Sequence, residues 1–164
     1  MKTIAIANQK GGTVGTTMAA AIGVLRSRVG VRVHLVDMDP PASLTTAFGL
    51  TDREGLLYQV MSRRGPLPVV SLAENLTISP CSIDLSRGET QFIAEAGREY
   101  LLQTCLEKTD LRRPAMVIVD CPPSLGVLSV ACLMVRGLLG SDTPIGSTQQ
   151  FHFKYIDGLD GRLD

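Results

Sequence analysis

The sequence predicts an α/β fold, with helices covering a mostly parallel sheet. Residues 3–7 and 31–37 read as two short apolar strands separated by a helical segment over residues 16–29. Strand, helix and strand in under forty residues form a βαβ unit, whose strands lie parallel and whose crossover is right-handed. A further apolar strand, Met116-Val117-Ile118-Val119, runs straight into Asp120.

The elements follow in order. Thr3-Ile4-Ala5-Ile6-Ala7 is a strand that ends in the loop Asn8-Gln9-Lys10-Gly11-Gly12. In the helix that follows, Met18, Ala19, Ile22, Val24, Leu25 and Val29 fill one broad face, and Gly30 closes it as a C-terminal cap. Val31, Val33, Leu35 and Val36 mark the second strand, and Pro40-Pro41 breaks the chain after it. Turn signals follow at Gly49, Gly55 and Arg64-Gly65-Pro66, where the Arg63-Arg64 pair reads as a solvated turn. Residues 75–79 read as a short strand, and residues 89–108 have helical periodicity through Phe92, Ile93, Ala96, Leu101, Leu102 and Leu106. After the strand at 116–119, Ser124 stands where it can cap a helix reaching to about residue 135. Beyond Arg136 the pattern weakens, with Gly137, Gly140, Pro144 and Gly146 interrupting every periodic segment.

The totals bound the answer. A chain of 164 residues suffices for a single domain over 1–164, and 45% apolar with 20% charged residues is ordinary for a soluble globular protein. With 4% aromatic residues and no Trp, the core must be aliphatic. Lys plus Arg and Asp plus Glu number 16 each, and neutrality gives no global steering toward DNA or anionic lipid, although a local basic patch is compatible with it. Cys81, Cys105, Cys121 and Cys132 form no CxxC pair, so they read as plain buried thiols and not as a zinc site or disulfide framework. The apolar run at the N-terminus is too short for a signal peptide or membrane span, and a cytoplasmic location is expected.

Three strand ends carry unusual polar groups. In Lys10-Gly11-Gly12-Thr13-Val14-Gly15-Thr16-Thr17, glycines let backbone N–H groups approach an anion, and the start of the helix adds partial positive charge. Thr16 and Thr17 can cap the helix, donate to phosphate or bind magnesium. The same turn also reads as a packing device. Asp37 and Asp39 are spaced to point to one side of an extended chain, and read either as a site or as solvated acids. Asp120 fits a group that holds a magnesium-bound water, or a helix cap. Parallel sheets bind ligands beyond the carboxyl ends of their strands, where all three features fall.

The KGG loop, VDMDP, NLTISPCSIDL and VIVDCPPSLG together resemble the ParA/Soj chromosome- and plasmid-partition ATPases, deviant-Walker P-loop proteins related to MinD. The resemblance covers residues 1–135 well and the divergent 136–164 only loosely. It implies a P-loop NTPase-like three-layer fold, incomplete at the C-terminus, which operates as an ATP- and Mg2+-dependent switch. Lys10 would reach the partner's phosphates in an ATP-sandwiched homodimer. Gly11, Gly12, Gly15, Thr16 and Thr17 fall in the nucleotide-binding loop, with Thr16 on magnesium. Asp39 would orient the attacking water, Asp120 matches the Walker B acid, and Asp37 lies on the metal side. A ParB-like partner is implied, and membrane binding is not.

The family loop reads KGGVGKTT where this chain reads KGGTVGTT, so the P-loop lysine is replaced by Gly15. A charge-assisted hydrogen bond contributes roughly 1.5–3 kcal/mol. Its loss is expected to lower ATP affinity or turnover at least about ten- to hundredfold. Val14 places a β-branched side chain where the family bends its backbone, and is expected to resist φ/ψ values open to Gly. Pro41 replaces the usual Gln after DxDP, and Ala21 the usual Asn of the first helix. The chain is read as C-terminally truncated, without the basic surface used for non-specific DNA binding, and its isolated sheet is expected to leave an open edge. A non-hydrolysing interaction module docking on a ParB-like partner, or a decayed fragment, stays open beside the ATPase reading.

Overall fold

The computed structural model of the chain describes residues 2–7, 14–50, 56–111 and 114–135, and the backbone of 152–156. Six strands form one sheet in the order β3-β4-β2-β5-β1-β6. They are β1 (Lys2–Ala7), β2 (Val33–Asp37), β3 (Val70–Ala73), β4 (Leu76–Ser79), β5 (Met116–Asp120) and β6 (His152–Ile156). The central β4, β2, β5 and β1 run parallel, while β3 pairs antiparallel with β4 and β6 antiparallel with β1. The predicted α/β class and the βαβ unit are therefore present.

Strand alternation sends side chains to two separate cores. Ile4, Ile6, Val33, Leu35, Met116 and Ile118 pack with Ala19 of α1 (Val14–Arg28) and Leu44 of α2 (Ser43–Ala47). Ala5, Val36, Val117 and Val119 pack on the opposite face against α3 (Leu56–Ser62), α5 (Leu101–Lys108) and α6 (Val127–Leu133). Apolar strands covered on both sides are what a mainly parallel sheet demands. Helix α1 lies so close to the sheet that a Cβ at Gly23 would meet Leu35 Cδ2 at 2.8 Å.

The observed elements differ from the sequence reading in several places. Helix α1 begins at Val14, two residues earlier than read, with Val14 itself in helical backbone. The periodic segment 89–108 is not one helix. It divides into α4 (Gly88–Gln91), 3₁₀ turns at Phe92–Ala94 and Arg98–Tyr100, and α5. Gly97, left-handed at φ 68°, separates the pieces, since one such residue ends a right-handed helix. Phe92, Leu101, Leu102 and Leu106 are buried as read, whereas Ile93 is exposed. Ser124 does not cap α6, because Pro122-Pro123 places it in the preceding turn. Glu89 of α4 does so from a distance, its Oε2 accepting the Val127 N–H at 2.9 Å. A Cβ at Gly126 would overlap that carboxylate. All four cysteines are buried free thiols. Among the described residues no helix is long and apolar enough to cross a membrane.

Inside the sheet His34 is fully buried, with Nδ1 2.9 Å from Thr77 Oγ1 and Nε2 3.0 Å from Ser79 Oγ. Ser79 donates its hydroxyl proton to the Pro68 carbonyl at 2.6 Å, so it accepts from Nε2–H, and Nδ1 accepts from Thr77. Burial lowers the His34 pKa to about 4. The folded protein thus refuses a proton that the unfolded chain accepts near pH 6.5, so His34 favours the fold above that pH and ceases to as pH falls toward 4. The melting-temperature advantage of the parent over His34→Gln should be largest at pH 7 and narrow as the pH approaches 4.5. A gap independent of pH would contradict the assignment.

Candidate functional site

The parallel register of β2 and β5 sets Asp37 directly beside Asp120. Both residues share strand parity with the side chains that face α1, so their carboxylates open toward the start of that helix. Asp37 is fully buried and Asp120 is 2% exposed. Two adjacent carboxylates buried this deeply must be neutralised, hydrogen-bonded or matched by a cation.

Asp37 is hydrogen-bonded. Its Oδ2 accepts the Thr45 N–H at 2.8 Å and the Thr45 hydroxyl at 2.7 Å, and its Oδ1 accepts the Asp39 N–H at 3.2 Å. This last bond ties the Asp37 carboxylate to the chain two residues on. Burial still prevails, pushing the Asp37 carboxyl up to about 6 against the pull of these donors. Asp120 differs. Its Oδ2 is buried without a partner. Burial raises its carboxyl to about 7, the Thr16 hydroxyl pulls it down, and the charges of Asp37 and Asp39 push it up further. Asp39 is half-buried at the rim, its pKa raised by that burial.

Helix α1 supplies the opposite wall. Gly15 is buried, Thr16 half-buried and Thr17 exposed in its first turn, which carries no acidic residue. Positive helix-end potential therefore stands uncompensated by acids of its own turn. The expected phosphate-loop residues Lys10, Gly11, Gly12 and Thr13 lie outside the described residues. Of the remaining sequence candidates, the structure brings Thr16 to Asp120 and groups Asp37, Asp39 and Asp120, while Thr17 faces solvent.

Two participants escape sequence inspection. Thr45, 1% exposed on α2, binds Asp37 and also accepts the Cys81 N–H on its Oγ1 at 2.9 Å. Ala42 precedes α2 in the left-handed region at φ 56° and ψ 37°, where its N–H bonds the Asp39 carbonyl at 2.8 Å. The Asp-Pro-Pro-Ala turn was the available signal for Ala42. Nothing local marks Thr45.

A family model described as an AAA domain matches residues 1–145. The chain belongs to this family. Relatives named ParA and Soj are among those it matches. The chain is 39% identical over 138 residues to the chromosome partitioning protein ParA of Caulobacter vibrioides, covering 79% of this chain and 51% of that protein. It is 35% identical over 168 residues to the sporulation initiation inhibitor protein Soj of Bacillus subtilis, covering 99% of this chain and 64% of Soj. The chain thus spans about half to two thirds of these relatives. Among solved structures, a Mycobacterium smegmatis protein described as cobyrinic acid a,c-diamide synthase, with bound ATP analog and magnesium, superposes with a TM-score of 0.75 at 37% identity, over 82% of this chain and 57% of that one. Apo McdA of Cyanothece superposes with a TM-score of 0.73 at 27% identity, over 82% and 55%. The chain therefore shares the fold of these solved structures over about four fifths of its length.

Two consequences are measurable. Because folding raises the Asp120 pKa, its contribution is present at low pH and is lost as pH rises through about 7. In chelator, Asp120→Asn should melt above the parent at pH 8, by at least about 2 °C, with the gap closing toward pH 5. Equal or lower melting at pH 8 would refute the burial argument. A left-handed non-glycine residue costs roughly 1–2 kcal/mol, and glycine's extra unfolded-state entropy offsets about 0.5–1 of it. Ala42→Gly should therefore stabilise by about 0.5–1 kcal/mol in urea titrations.

Proposed function

We propose that the chain is a ParA-type nucleotide switch for chromosome or plasmid partition, which binds ATP and Mg2+ beyond the carboxyl ends of β1, β2 and β5. The observation that carries this reading is the buried, unpartnered Asp120 Oδ2 beside the Thr16 hydroxyl. An orphaned carboxylate oxygen and a hydroxyl at a helix start suit a hard cation that retains waters and phosphate ligands. The acids alone need not complete the shell, and among the described residues no group of three His, Cys, Asp or Glu is placed to hold a metal.

In this reading Thr16 and Asp120 hold the Mg2+ side, directly or through water. Gly11, Gly12, Gly15 and Thr17 belong to the phosphate loop. Asp39, at the half-buried rim, orients the attacking water, and Lys10 serves the phosphates of a second copy in a homodimer. Bound magnesium would offset phosphate charge. Asp37 stands beside them on the metal side, its Oδ2 held by two donors and its Oδ1 by one at 3.2 Å. A ParB-like protein is the proposed regulator.

Gly15 supports the second reading, a non-hydrolysing module, because the first turn of α1 offers no side-chain cation to the phosphates. Calorimetry with Mg-ATP and Mg-ADP, on the parent and on a chain restored to KGGVGKTT, separates the two. The restored loop should bind ATP at least about tenfold more tightly and release phosphate in an Asp39-dependent manner. No gain in ATP binding would rule out the loop as the limiting feature. Phosphate release unchanged by Asp39→Ala would rule out the assigned chemistry.

A further inference from the structure

We propose that Thr45 is a positioning residue that sets the placement of Asp39; this rests on the nucleotide-switch reading. The turn after β2 is closed into a ring by few bonds. Asp37 Oδ1 accepts the Asp39 N–H at 3.2 Å, and the Asp39 carbonyl accepts the Ala42 N–H at 2.8 Å. Asp37 Oδ2 accepts both the N–H and the hydroxyl of Thr45, at 2.8 and 2.7 Å. Both main-chain groups of Asp39 are therefore spent inside this ring. The backbone that carries its carboxylate is thus placed by where the Asp37 carboxylate is held.

Thr45 holds it. A hydroxyl with one proton and lone pairs to spare donates to Asp37 and accepts the Cys81 N–H at 2.9 Å. One side chain thereby fastens the end of β2, the start of α2 and the segment leaving β4. Without the hydroxyl, Asp37 loses its shortest donor and the buried Cys81 N–H loses its acceptor. Serine retains both bonds and loses only a methyl group. Within the ring the left-handed Ala42 and the prolines 40 and 41 restrict the backbone. The ring therefore has few alternative closed shapes once the clasp opens.

The test compares Thr45→Val, nearly isosteric, with Thr45→Ser, and uses Thr45→Ala as a second hydroxyl-free variant should valine not fold. Phosphate release is measured in the chain restored to KGGVGKTT. Thr45→Val should lower kcat at least tenfold with the ATP KM within threefold, and Thr45→Ser should remain within threefold of the parent in both. In parallel, amide exchange at Asp39 and Cys81 is followed by NMR in nucleotide-free protein. It should quicken at least tenfold in Thr45→Val and less than threefold in Thr45→Ser. Unchanged exchange at Asp39 in the hydroxyl-free variants overturns the proposal, whether or not the restored chain turns over. A loss of kcat that serine fails to rescue also overturns it. If the restored chain has no turnover at all, the nucleotide-switch reading fails, and exchange alone decides the role of Thr45.

Discussion

The parallel ladder between β2 and β5 brings Asp37 level with Asp120 at the carboxyl edge of the sheet, and the surrounding architecture answers to that pairing. Strand parity aims both acids at the start of α1, where Thr16 meets one of them. The chain leaving Asp37 cannot simply run on, because the buried carboxylate must find donors nearby. It finds them by turning at once and starting α2, whose Leu44 enters the same core as Leu35 and Ile118. Apolar burial and carboxylate satisfaction thus act on neighbouring residues of the same short helix.

Strands β1, β2, β4 and β5 and helix α1 were legible because their signals are local, whereas the antiparallel edge strands β3 and β6 went unread. Residues such as Val117-Ile118-Val119 are apolar without interruption, and Gly30 ends a periodic run. The acids were legible because each follows an apolar strand directly. What stayed hidden depends on partners distant in sequence. Thr45 reaches back to Asp37 and forward to Cys81, and Glu89 caps a helix that begins at Val127. No window along the chain contains such pairs. The periodicity over 89–108 misled for a related reason. Burial of Phe92, Leu101 and Leu102 requires only that each face the core, and a chain of short turns hinged at Gly97 achieves that as well as one helix. The distinction between Asp37 and Asp39 was likewise invisible, since spacing reports direction in a strand but not which carboxylate is already occupied.

The departure at Gly15 acquires a physical meaning beside this geometry. A lysine in the first turn of α1 would bring a full positive charge to a wall that here carries only hydroxyls, amides and a helix end. At these two acids deep burial outweighs the pull of such dipoles. At Asp37 burial pushes the carboxyl up to about 6 although three donors converge on it. Asp120, with fewer donors and two acidic neighbours, stands higher still, at about 7. At neutral pH the ligand-free site is therefore a source of instability, which apolar burial in the two cores must offset. A fold that tolerates this cost at the carboxyl edge of its central strands keeps two buried acids side by side, facing the start of α1.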